Sequence, residues 1–223
     1  MNPRLNNLLK NPNFRNSIQG TQAVDTEFFD TKTIPSGGLG APGAQASLIF
    51  FDGTTAADYT LTNFIGKQQL QANELFVILG LSVAPLALHV VEDGAGAANI
   101  GLIAGDVDKF VKRAALWVKF GVDDIPLTPI MSIGQTGGFQ VEGGAPVTTV
   151  AAKYTMRSAA SNGEPGVKRN LMFDNPVIWP GQSTLRCELW GATGAFSAAM
   201  PVRVGILGTW FRRTSREQTL NWS

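Results

Sequence analysis

Cysteine and histidine occur once each in the 223 residues. One cysteine excludes an intramolecular disulfide framework and any cysteine-rich zinc or iron–sulfur site. One histidine weakens most hydrolase and metalloenzyme readings before any motif is sought. Charge is scarce too: charged residues make up 16% of the chain, where ordinary domains carry about a quarter. The charge that is present nearly cancels, with 18 Lys and Arg against 17 Asp and Glu. This balance excludes a generally basic nucleic-acid binder and an acidic disordered chain. Long apolar runs are also missing. The longest stretch without a formal charge, Leu75 to Val91, contains Gly80, Ser82, Pro85 and His89. A membrane-spanning helix wants about 20 predominantly apolar residues, so the stretch reads as a buried strand and its exit. The N-terminus lacks an apolar core segment and a small-residue cleavage site, which argues against a secretory signal. The expectation is a chain made in the cytosol that stays soluble unless it assembles.

What is abundant is glycine and proline, 25 and 12 residues, and they punctuate a β pattern. Strands are expected at Thr26–Ile34, Gln45–Phe51, Glu74–Val83, Ala114–Phe120, Val147–Met156, Ser183–Trp190 and Val202–Phe211, with an edge-like segment over Ile125–Ile133 holding Pro126 and Pro129. Asn170–Trp179 is mixed, and loops are expected over Gly134–Gly144 and Ser158–Gly166. One helix is expected over Gly105–Arg113. Asp106 caps it, Asp108 suits its positive end, and Lys112 and Arg113 suit its negative end. Helical patterns do not alternate with the strands, so a parallel α/β sheet is not expected. The continuous run FVILGLSV fits an inner strand and the alternating STLRCELW a half-exposed one. The reading is an all-β fold, an antiparallel β-sandwich in the form of a single eight-stranded jelly roll with a short N-terminal helical arm. Its parts are a basic arm over 1–20, the jelly roll over 21–213 and a tail over 214–223.

Charge is asymmetric at the two ends. Met1 to Val24 holds no acid, and Arg4, Lys10 and Arg15 make it purely positive. Leu5, Leu8 and Leu9 follow helical spacing until Pro12 interrupts it. Such an arm either docks its leucines or faces a phosphate-bearing surface, nucleic acid or lipid headgroups. After Phe211 come Arg212, Arg213 and Arg216, with Trp222 near the end.

Catalytic motifs are not found. The sequence has neither the G-x-S-x-G elbow nor the G-x-x-x-x-G-K-[ST] loop. His89 stands near Glu92 and Asp93 but beside no plausible nucleophile. Gly94-Ala95-Gly96 lacks the third fingerprint glycine, where Asn99 stands, and Gly37-Gly38-Leu39-Gly40 has no following helix. Asp106-Val107-Asp108 is a fragment of a calcium loop, whose later positions would be Phe110 and Arg113. Asp123-Asp124 reads as a hairpin turn, and Cys187 as a small buried hydrophobe. Of the five tryptophans, Trp117 and Trp210 lie in strands and read as packing. Trp179 closes a mixed segment, while Trp190 and Trp222 lie at strand or chain ends, where they could stack on a ligand. No catalytic, cofactor or metal residue is assigned.

ELFVILGLSV, a short helix, and then AALWVKFGVDDIPLTPIMSI resemble jelly-roll capsid proteins of small tailless icosahedral bacteriophages. The segment Leu116–Leu127 fits the strand, turn, strand, Pro-Leu shape of those proteins. The ending Leu207-Gly208-Thr209-Trp210-Phe211-Arg212-Arg213 is similar as well. The resemblance spans roughly residues 45–213. It implies a structural, non-enzymatic protein that assembles with copies of itself and other virion proteins, located in a virion put together in the host cytoplasm. It also implies an arm facing the particle interior, where Arg4, Lys10 and Arg15 approach genome phosphates or an internal membrane. Arg212, Arg213 and Trp222 are candidates for contact between subunits. No small-molecule substrate is implied. The alternative is a phage spike, or a receptor- or carbohydrate-binding sandwich, with Trp190, Phe139 and Asp123 as its expected cluster. A cupin-like enzyme wants several histidines where this chain has one.

Overall fold

Segments whose apolar residues alternate, or run on without interruption, become strands in the computed structural model. It describes residues 3–40, 46–54, 60–64, 66–85, 106–121, 123–134, 140–146, 154–161, 171–196 and 199–213. The strands are β1 (Thr21–Ile34), β2 (Ser47–Phe50), β3 (Glu74–Pro85), β4 (Ala115–Phe120), β5 (Asp123–Pro129), β6 (Gln140–Pro146), β7 (Tyr154–Ser161), β8 (Leu171–Pro180), β9 (Leu185–Trp190) and β10 (Met200–Arg213). The helices are α1 (Pro3–Leu9), α2 (Pro12–Ser17), α3 (106–113) and α4 (Ile130–Gly134). None of the described helices is long and apolar enough to cross a membrane.

The chain is mostly β, as expected, in two antiparallel four-stranded sheets. Sheet A runs β1-β10-β3-β8 and sheet B runs β2-β9-β4-β5, while β6 and β7 form a separate hairpin. Without that hairpin, the first strand pairs with the last, the second with the seventh, the third with the sixth and the fourth with the fifth. Both sheets turn alternate side chains into one core. Sheet A contributes Phe28, Phe76, Ile78, Trp179 and Val204, and sheet B contributes Phe50, Leu116, Val118, Leu185 and Cys187.

Polar side chains fix how the sheets meet. Asp30 of β1 is buried, and its carboxylate accepts hydrogen bonds from the backbone N–H groups of Thr31 (3.0 Å) and Phe51 (2.6 Å). Phe51 has φ +62°, a conformation unfavourable for a bulky residue. The bond from Asp30 offsets that cost at the exit of β2. On the outer face of sheet A, Ser82 Oγ donates to Glu27 Oε1 at 2.5 Å across the intervening strand β10. The bond is possible because Gly205 lies between them: a Cβ there would overlap both side chains.

Two expectations are corrected. The loop expected over 134–144 passes into β6 at Gln140, and the loop expected over 158–166 begins with the last four residues of β7; the first three residues of β7 fall in the strand expected over Val147–Met156, whose residues 147–153 lie outside the described residues. QVEGGAP, with two glycines and a proline, lacks the apolar alternation that announces a half-buried strand, and in YTMRSAAS the alternation of Tyr154 and Met156 with Thr155 and Arg157 gives way to small residues after Arg157. The edge-like segment ends at Pro129, and Ile130 and Ile133 turn into the core from α4, because their spacing of three suits a helix. Strand β1 also starts five residues earlier than its apolar pattern, at Thr21, which pairs with Arg213.

Candidate functional site

The N-terminal arm forms two short helices on the outer face of sheet A. Asn11 caps α2, accepting from the Asn13 N–H at 3.0 Å, and Pro12 takes the first turn, where its missing N–H costs nothing. Leu5 and Phe14 are buried, with Leu8, Leu9 and Ile18 beside them. They cover Leu75, Val77 and Leu79 of β3, Met172 and Ile178 of β8, and Phe211 of β10. Phe14 meets Phe211 edge to face, with ring centroids 6.1 Å apart. Residues 75–79 are therefore apolar on both sides of the strand, one side for the core and one for the arm.

Docking the leucines leaves the polar side of the arm outward. Lys10 and Arg15 are exposed, together with Asn6, Asn7, Asn11, Asn13 and Asn16. Arg4 lies on α1, and its side chain is outside the described residues. The end of the last strand lies alongside the arm's exit: Thr21 pairs with Arg213 and Gln22 with Arg212. The exposed Arg212 guanidinium lies 5.0 Å from the centre of the Trp210 ring. The Arg213 side chain and Trp222 fall outside the described residues. The chain leaving the arm thus pairs with the end of the last strand, while Arg212 lies with Trp210 on the core-facing side of sheet A, opposite Phe211 and the arm.

The outer face of sheet B is different. Trp190 pairs with Ala115 at one end of β4 and Asp123 pairs with Phe120 at the other. Five residues along a strand is about 17 Å, so those two do not form a cluster, and Phe139 falls outside the described residues. What the register gathers on this face is a group around Glu188: Ile49 and Trp117 beside it, with Trp190 on one side along the strand and Arg186 and its neighbour Lys119 on the other. Trp117 Nε1 donates to Asp124 Oδ1 at 2.6 Å, and the Arg186 guanidinium lies 5.2 Å from the centre of the Trp117 ring. Arg186 also pairs with Glu188 Oε1. Glu188 is only 1% exposed, and its other oxygen, Oε2, is buried without a partner. The alternation of LRCELW places Glu188 on the outer face, but no sequence signal marks its burial between Ile49 and Trp117.

Other sequence candidates resolve into structure. Gly38 and Gly40 have positive φ in a turn that holds the 192–196 segment, where Leu39 donates to Ala192 O and Phe196 to Ser36 O. Asp106 and Asp108 pair with Lys109 (3.3 Å) and Lys112 (2.8 Å) on the same helix. Cys187 is fully buried. Burial, followed by the nearby Asp30 and Glu188 carboxylates, pushes its thiol far above the usual range, so it stays protonated. Trp179 is buried, donating to Ser183 O at 2.8 Å. His89, Glu92, Asp93 and Gly94–Gly96 lie outside the described residues. Among the described residues, no group of three or more His, Cys, Asp or Glu is placed to hold a metal ion. Compared with protein-family models, curated proteins and solved structures, the chain finds no match in any of the three.

Proposed function

We propose that the chain is a structural protein of a bacteriophage capsid, a single jelly roll that assembles with copies of itself into an icosahedral shell. The observation that carries this reading is the strand order. Eight strands paired first with last, second with seventh, third with sixth and fourth with fifth, in two four-stranded sheets, match a rolled-up double hairpin. That architecture is shared by viral capsid domains, lectin domains and cupins.

Fold alone does not select among these functions. Self-association is supported by the surface. The large apolar side chains left exposed among the described residues, Ile49, Leu127 and Trp190, all lie in sheet B. A low overall charge suits a subunit whose sides meet neighbours, since interface cores are depleted in charged residues. The arm supports an inward role: its exposed side carries cations and amides without acids. In this reading Arg4, Lys10 and Arg15 approach the phosphates of a genome or of an internal membrane. Three charges bind weakly alone and add up over many copies in a closed shell. Arg212, Arg213 and Trp222 contact neighbouring copies, other virion proteins complete the particle, and the role calls for no cofactor or small-molecule substrate.

Light scattering and electron microscopy of the purified full chain test the proposal. Shell-like or ring-like species are expected. A chain that stays monomeric at high concentration overturns it, and a monomer that binds a glycan in calorimetry replaces it with the receptor- or carbohydrate-binding reading.

A further inference from the structure

We propose that the open edge of β1, residues 22–26, pairs with the same edge of a second copy of this chain, antiparallel about a two-fold axis at Val24. The two copies of sheet A then join into one eight-stranded sheet. This rests on the self-assembly reading and names the contact through which it acts. The edges of the two sheets are β1 and β8 in sheet A, and β2 and β5 in sheet B. An edge strand presents unpaired backbone groups, and proteins blunt such edges with prolines, bulges or shortness. Strand β2 has only four residues, and β5 carries Pro126 and Pro129. Strand β8 carries Pro176 and Pro180, and its pairing with β3 shifts register between Val177 and Met172. Strand β1 runs for 14 residues with no proline and an unbroken register along β10.

The chain closes the β1 edge on either side of residues 22–26 and leaves those residues open. Asn63 imitates a neighbouring strand. Its backbone N–H donates to Phe29 O at 3.2 Å, its Oδ1 accepts from Phe29 N at 2.7 Å, and its Nδ2 donates to Glu27 O at 2.6 Å. At the other side Thr21 N donates to Ile18 O at 3.1 Å. Backbone groups point alternately to the two sides of a strand, so Ala23 and Asp25 face the same way as Thr21, Glu27 and Phe29. Their outward N–H and C=O groups meet no partner among the described residues. Gln22, Ala23 and Asp25 are exposed.

The form of this slot selects its occupant. Only an extended strand answers alternate N–H and C=O groups, and this one must stop where the slot stops. A second copy does so. About a two-fold axis at Val24, Ala23 exchanges both backbone hydrogen bonds with the partner's Asp25, and Asp25 with the partner's Ala23. Thr21, where the chain turns off into the arm, comes opposite the partner's Glu27, where the closure by Asn63 begins. Side chains agree with that register. Val24 meets the partner's Val24, a β-branched pair, and Gln22 meets the partner's Thr26. Shifting the axis to Asp25 sets the two carboxylates opposite each other, and shifting it to Ala23 brings the already bonded Thr21 N–H opposite the partner's Asp25. The contact is isologous, as a closed pair requires. Five residues span about 17 Å, far less than the about 800 Å² that each partner buries in a stable pair. The contact is therefore weak in solution and gains strength beside others in an assembly.

Sedimentation velocity of the full chain over a wide concentration range tests this, with three variants of the exposed Ala23 and Lys67→Glu, on a distant loop, as control. Ala23→Pro removes the outward N–H, Ala23→Asp sets a like charge opposite the partner's Asp25, and Ala23→Lys sets an opposite charge there. Thermal melts check that each is folded, and the two charge variants decide the matter if the proline variant is not. The expected result is association of the wild-type and Lys67→Glu chains, with a dissociation constant at least about ten-fold higher for Ala23→Pro. It should be about three-fold higher for Ala23→Asp and about three-fold lower for Ala23→Lys. If the folded variants all associate as the wild type does, this edge is not the contact, while self-assembly stands. Shifts of the same sign for Ala23→Asp and Ala23→Lys overturn the pairing about Val24. If the wild type shows no association at any concentration, the self-assembly reading fails and this contact with it.

Discussion

Sheet A and sheet B bury their inner faces in the same core, but their outer faces are finished in different ways. Sheet A has an uninterrupted apolar strand, β3, and the chain supplies a cover for it from its own first 20 residues. The acids of that face are answered as well. Asp25 accepts from Thr209 and Glu27 from Ser82, each at 2.5 Å. Sheet B has alternating strands, no cover among the described residues, an exposed tryptophan and a carboxylate oxygen without a donor. The difference shows two uses of apolar surface. Where it is continuous, burial within the chain stabilises the fold. Where it is interrupted by charges, large apolar side chains, Ile49, Leu127 and Trp190, are left exposed among the described residues.

If this division is right, truncating the two faces has unequal effects on the monomer. Phe14→Ala removes a 6% exposed ring from its edge-to-face contact with Phe211. It should lower unfolding stability by about 3 kcal/mol, seen as a fall in melting temperature of about 6 to 12 °C for a chain of this size. Trp190→Ala, at 39% exposure, should change monomer stability by no more than about 0.5 kcal/mol. Equal losses for the two variants would break the comparison.

A smaller effect of opposite sign sharpens it. Glu188→Leu replaces a buried carboxylate that has one unanswered oxygen with a side chain of similar size. Removing buried charge in favour of apolar packing is often neutral or stabilising, so the monomer should gain about 1 kcal/mol. Denaturant midpoints measure this gain. A loss of stability would mean that the Arg186–Glu188 pair serves the fold.

Much of this division could be read before the fold was known. FVILGLSV announced an inner strand, and the helical spacing of Leu5, Leu8 and Leu9 allowed an arm that docks its leucines as one of two readings. That the two belong together was not readable, because it depends on β3 lying inside sheet A beside β8 and β10. Local pattern also placed Leu185, Cys187 and Leu189 on one face and Arg186 and Glu188 on the other. It did not show that Glu188 is buried on that outer side, since its cover comes from neighbours 71 and 139 residues away, Trp117 and Ile49. The expected cluster of Trp190 with Asp123 failed for the same reason. Residue types suggested a binding group, and the strand register set its members at opposite ends of β4.

The smallest expected effect lies on neither outer face, at the joint between the sheets. Lys32 of β1 pairs with Asp52, just after β2, at 2.8 Å. Burial acts to raise the Asp52 pKa. The Lys32 ammonium and the backbone and hydroxyl donors of Thr54 outweigh it and hold the carboxyl below its ordinary value. A carboxyl whose pKa is depressed by folding adds stability above its unfolded value, about 3.9, and that contribution disappears as pH falls through the folded value. Lys32→Met should therefore lower stability at neutral pH by only about 0.5 kcal/mol, the usual scale for a partly exposed ion pair. The gap between variant and wild type should close as pH is lowered below the ordinary carboxylate range, which urea midpoints at neutral and acid pH would show. A gap that persisted in acid would mean that Lys32 acts through the packing of its stem along β1. The joint between the sheets would then rest on the buried Asp30 latch, without help from this pair.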